Sequence, residues 1–139
     1  MTAVPSAAPS PAPVTRAQPM MTILRFLLLA EAVTGLVLAI FLSLLAGNAD
    51  TDTETSLRFA AGGAFLFAIF AAVASRGVRR RRGWAWTLSA ILQVILAIGT
   101  GITVIAATWH PAYLAGFALA AVAMIVLSAG SVRRALGQE

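Results

Sequence analysis

The chain has no cysteine and no lysine, a single histidine, and only ten basic and five acidic side chains in 139 residues. Each shortage excludes something. Without cysteine, neither a disulfide nor a thiolate metal site can carry stability or chemistry. One imidazole, His110, excludes any motif built on paired histidines. Charged residues form 11% of the chain, against roughly 25% in a soluble domain. Apolar residues form 60%, and the mean hydropathy is +0.90. That is the composition of a chain that meets lipid. All ten cations are arginine, and alanine is abundant. This reads as coding bias in a GC-rich genome and carries no mechanism. The net charge of +5 would point to nucleic acid in a soluble protein. Here the arginines sit at the ends of apolar runs, where orientation in a bilayer accounts for them and nucleic acid is not expected.

What is present falls into segments. Residues 1–21 hold five of the six prolines, with Ala and Ser between them and no apolar period that builds a core, and are read as a disordered cytoplasmic tail. Translation starting at Met20 or Met21 would remove that tail. Residues 22–132 hold four apolar stretches, about 23–46, 57–75, 84–107 and 112–130. Each is near the ~20 residues that cross ~30 Å of hydrocarbon as a helix. The connectors "GNADTDTETS", "RGVRRRRG" and "TWHP" are short, so consecutive helices run antiparallel. The fold class predicted is an all-α membrane protein, a four-transmembrane-helix up-down bundle, closed by a cytoplasmic tail at 133–139.

The arginines orient the bundle. Arg16 and Arg25 precede the first stretch, Arg76 and Arg79 to Arg82 lie between the second and third, and Arg133 and Arg134 follow the fourth. The opposite side carries Asp50, Asp52 and Glu54 with Arg58 alone. The positive-inside rule then places both termini in the cytoplasm of a multi-pass protein of the bacterial inner (plasma) membrane. A signal peptide cleaved after Ala49 would need an apolar run far shorter than this one, since ~7–15 residues are typical. Thr55 or Ser56 is placed to cap the second helix, Pro111 suits the first turn of the fourth, and Gly83 breaks the arginine loop. Trp84, Trp86, Trp109 and Tyr113 fall where amphipathic rings meet the interface.

In lipid, small residues let helices approach. Lines of them recur at every fourth position: Gly35, Ala39, Ser43, Gly47; Ala60, Ala64, Ala68, Ala72; Ala85, Ser89, Ala97, Gly101; and Ala112, Gly116, Ala120. Such straight lines favour right-handed crossings. Gly62 and Gly63 are read as further close-packing positions. Extending two lines meets polar groups: Glu31 stands four before Gly35, and Gln93 lies between Ser89 and Ala97. Counted from Ile23 and Trp84, both lie ~12 to 14 Å from the cytoplasmic boundary, because a helix rises 1.5 Å per residue. The first and third helices point the same way, so a hydrogen bond between Glu31 and Gln93 is predicted, with Thr34 as a further partner. Desolvation disfavours a carboxylate there, and a protonated Glu31 donating to the amide oxygen is the expectation. An ionisable group inside a membrane is a candidate for function, with structural glue as the competing role.

The remaining candidates are few. Arg76, Arg79, Arg80, Arg81 and Arg82 are read as topology determinants that also offer charge to anionic lipid headgroups. The acidic loop and His110 match no ordered metal loop. No nucleophile with its base, phosphate loop or cofactor box is present, so neither an enzyme nor a cofactor is expected.

Within "LLLAEAVTGL", Ala30 and Glu31 resemble the first helix of the small multidrug resistance exporters, dimers of four-helix chains in which a glutamate takes protons or cationic drugs. Gly35 stands one place later than in that family. The segments "RRGWAWTLSAILQ" and "LSAGSVRRAL" are similar to small four-helix integral membrane proteins of high-GC Gram-positive bacteria, a group without an assigned activity. Two functions follow as expectations. The first is a non-enzymatic membrane component that packs against itself, as a homo-oligomer, or against a membrane partner. The alternative is a proton-coupled exporter of small cations, with Glu31 the coupling carboxylate of a dimer.

Overall fold

The computed structural model describes residues 14–106 and 111–137. Among these the elements are all helical: α1 Val14–Ala46, α2 Thr51–Arg79, α3 Gly83–Ala106, α4 Pro111–Ser128 and α5 Gly130–Ala135. Three segments, Gln18–Ala46, Thr51–Arg79 and Gly83–Ile102, are long and apolar enough to cross a membrane, and α4 adds the apolar stretch Gly116–Ser128. The expectations for residues 1–13, Trp109 and His110 lie outside the described residues.

Away from the arginine end, large side chains on α1 and α2 face outward and small ones pack inward. Phe26, Leu44, Phe59, Ile105 and Ile125 stand largely exposed, whereas Gly35, Ala39, Ala46, Ala61, Ala68, Ala71 and Ala74 are buried. In water such a surface would aggregate. In lipid the large side chains meet acyl chains without penalty, and helix association comes from close backbone approach. The contact between α1 and α2 is the most extensive, followed by that between α3 and α4, so the chain is organised as two helical hairpins. A Cβ on Gly35 would come within 3.2 Å of both the Ala64 carbonyl oxygen and the Ala68 Cβ, which shows how near the first two backbones lie.

The buried stripes differ from the straight lines of every fourth residue. On α1 the stripe runs Leu24, Leu28, Glu31, Gly35, Ala39, Ala46, with Leu42 half-buried, while Ser43 and Gly47 are exposed. On α2 it runs Ala61, Ala68, Ala71, Ala74, Ser75, Val78, and Ala60 and Ala72 face outward. Steps of four turn about 400°, so a straight line drifts off the contact, and alternating steps of three and four hold the face toward the neighbour. A Cβ added to Gly62 or Gly63 would meet nothing within 4 Å, so these two glycines bring no backbones together within the chain.

Helix boundaries also move. α1 begins at Val14, inside the stretch read as tail, and carries Pro19 within it. α2 begins at Thr51, not near 57, with Asp50 in the N-cap place (φ −65°, ψ 160°) and the Glu54 N–H donating to the Asp50 carbonyl at 2.7 Å. Thr55 and Ser56 therefore lie inside the helix, where their hydroxyls donate to the carbonyls of Thr51 and Asp52. The reason is length: 29 residues rise ~44 Å, well beyond ~30 Å of hydrocarbon, so the polar turns continue as helix outside it. Asp52 and Glu54 in that first turn favour the helix N-terminus electrostatically, and Glu54 pairs with Arg58 at 2.6 Å.

At the other end α4 stops at Ser128, two residues before the expected limit, and Ala129 turns the chain into α5. Of the segment read as a tail, residues 133–135 are thus helical and Leu136 is buried. Six residues are too few for an autonomous helix. Val132 and Leu136, one turn apart, are buried against a core that includes Leu24, Leu28, Val78, Leu92 and Leu127. Removing each from water contributes about 1.5–3 kcal/mol, enough to hold the short helix in place.

The turn between α2 and α3 ends the second helix in a Schellman motif. The Arg82 N–H donates to the Gly77 carbonyl and the Arg81 N–H to the Val78 carbonyl. Its left-handed position, normally glycine, is Arg81 with φ 51°. Replacing Arg81 by glycine is expected to stabilise the fold by about 1 kcal/mol, read as a higher thermal midpoint in detergent. An unchanged or lower midpoint would show that the left-handed backbone carries no strain.

Candidate functional site

Glu31 on α1 and Gln93 on α3 are both buried, at 3% and 0% exposure. The Gln93 Nε2 donates to both carboxylate oxygens of Glu31, each at 2.9 Å. The backbones of α1 and α3 scarcely touch elsewhere, so two long side chains make this connection across the bundle. The amide nitrogen faces the carboxylate, whereas the sequence suggests a protonated acid donating to the amide oxygen. With both carboxylate oxygens equally close to one nitrogen, an N–H shared between two acceptors is the pattern that this geometry satisfies.

Thr34 does not join the pair; its side chain is exposed. Three residues turn about 300° along a helix, which places Thr34 some 60° to one side of Glu31, whereas Leu28 and Gly35 lie to the other side. The residue that sequence reasoning misses is Ser89. It sits one turn before Gln93 on α3, is fully buried, and its Oγ has no hydrogen-bond partner among the described residues. The Gln93 Oε1 is likewise buried without a partner there. The available signal is the spacing of four between two polar residues on an apolar helix, which a reading of Ser89 as a small packing residue passes over.

The arginine candidates separate into two groups. Arg79 and Arg81 line a cavity of about 530 Å³, together with Arg25 of α1 and Arg134 of α5. Arg76, Arg80 and Arg82 do not line it. Gln18, Thr22 and Ser131 add neutral polar groups to the wall. Trp86, near this end, donates from Nε1 to the Leu127 carbonyl at 3.1 Å and ties α3 to the last turn of α4. A second cavity, of about 440 Å³, lies between α1 and α2 toward their other ends, lined by Ala39, Ser43, Arg58, Ala61 and Phe65 among others. Glu31 lines neither of the two.

Compared with known protein families, curated proteins and solved structures, the chain has no significant match, and the functional reading rests on its own residues.

Proposed function

We propose that this is a non-enzymatic, multi-pass component of the bacterial inner membrane, with four crossing helices and both termini in the cytoplasm, that acts by packing against a second copy or a membrane partner. The reading keeps the chain with the small four-helix membrane proteins of high-GC Gram-positive bacteria. The observation that carries it is the condition of Glu31: the carboxyl is bonded through both oxygens, buried, and outside both cavities. A coupling carboxylate must be reached alternately from each side of the membrane. This one is fastened, as interhelical glue is, with a contribution of about 0.6–2 kcal/mol. Gly62 and Gly63, open within the chain, support a packing role because they leave room for another backbone to approach.

The test is Glu31→Gln. Two amides can replace the carboxylate–amide bond, so the variant is expected to keep its fold and its oligomeric state in mild detergent, with stability within about 1 kcal/mol of the parent. Membranes containing the parent are expected to release no protons when a lipophilic cation is added. Proton release by the parent that disappears in Glu31→Gln would overturn this reading in favour of cation export with Glu31 as the coupling group.

A further inference from the structure

We propose that the cavity lined by Arg25, Arg79, Arg81 and Arg134 is a binding site for the phosphate headgroup of an anionic phospholipid. The four arginines come from α1, the end of α2, the turn after it, and α5. None has a carboxylate partner among the described residues, whose acidic side chains are Glu31, tied to Gln93, and Asp50, Asp52 and Glu54 at the opposite helix ends. Four positive charges around one concavity, with no carboxylate partner among the described residues, repel each other, and an anion between them removes that cost. Guanidinium groups match phosphate oxygens in pairs of parallel hydrogen bonds. The volume of about 530 Å³ falls within the ~300–1,000 Å³ of small-molecule sites.

Two features separate this site from the diffuse charge that orients a membrane protein. The first is selection. Orientation needs arginines at this end in any arrangement, yet α5 is folded back on Val132 and Leu136 so that Arg134 lines the cavity and its neighbour Arg133 does not. The second is Arg81, which keeps a charged side chain on the wall at a backbone position where glycine would be less strained. The source of the phosphate is lipid because the wall is amphipathic. Met21, Val78 and Ala135 supply apolar surface beside the arginines, and Arg25 stands directly before the exposed Phe26 of a helix long and apolar enough to cross a membrane. A diacyl lipid presents the same sequence of groups, phosphate first and hydrocarbon next.

The experiment uses the full chain in nanodiscs or detergent, with lipid retention measured by native mass spectrometry against phosphatidylglycerol and phosphatidylcholine. The parent is expected to retain phosphatidylglycerol selectively. Arg25→Gln, Arg134→Gln and Arg81→Gly are each expected to weaken that retention about fivefold, the effect of one arginine at a charged surface, while Arg80→Gln and Arg133→Gln change it by less than about twofold. Arg81→Gly is the decisive variant, since it raises thermal stability as it lowers lipid affinity and so cannot act by unfolding. Equal losses for all five variants would show diffuse attraction only and overturn the site. Displacement of bound lipid by millimolar inorganic phosphate would assign the cavity to a soluble anion and overturn the lipid assignment.

Discussion

Gln93→Leu is expected to destabilise the protein by about 2–3 kcal/mol, and adding Glu31→Leu to the same chain to restore most of that loss. The bond itself is modest, about 0.6–2 kcal/mol for a polar contact between membrane helices. The larger effect is what the single change leaves behind. Leucine at 93 fills the volume but strands a carboxylate that is 3% exposed and whose oxygens both rely on that one amide. A buried carboxyl left without a hydrogen-bond partner costs more than the pair contributes. Glu31→Leu alone leaves a neutral amide and is expected to cost less, about 1–2 kcal/mol. The double variant strands nothing except Ser89, whose Oγ is already unpartnered among the described residues. Equilibrium unfolding in mixed micelles gives all four corners of the cycle. A double variant no more stable than Gln93→Leu would show that the two side chains are energetically independent.

Gly77→Leu is expected to cost about 3 kcal/mol, against little or no cost for Gly62→Leu. Both glycines lie in α2, and their helix-propensity gain is the same. Their surroundings are not. A Cβ at 77 would lie 2.7 Å from the Ala85 Cβ and 2.7 Å from the Trp84 ring, whereas one at 62 meets nothing within 4 Å. The tip of Trp84 can swing away, but the Ala85 Cβ moves only with its backbone, so α3 must shift relative to α2. The difference in midpoint between the two variants measures that shift, and Trp84 emission reports the ring. Equal stabilities would mean that the turn relaxes freely and that the close approach carries no constraint.

Hydropathy and helix geometry make much of this legible. The apolar stretches locate α3 and α4 to within two residues and fall inside the longer α1 and α2, and counting rise per residue places Glu31 and Gln93 at one height. The differences have identifiable reasons. Helix ends beyond the hydrocarbon carry polar residues, so Thr51 to Ser56 read as loop although they are helical, and Val14 to Met21 read as tail. A packing face drawn straight misses a contact that follows alternating steps, which misplaces Ser43, Gly47, Ala60 and Ala72. Thr34 is close to Glu31 in sequence, yet its angle on the helix points it away from the pair. The convergence of Arg134 with Arg25 and Arg81 depends on the fold-back of α5, for which the sequence offers only two large apolar residues, Val132 and Leu136, in a short polar segment.

The pairing of α1 with α2 and of α3 with α4 leaves a narrow seam between the halves: the turn around Gly77, the cluster at the arginine end, and one polar rivet. Among the described residues the ties between the halves therefore concentrate at the arginine rim. Local opening starts where such ties are fewest.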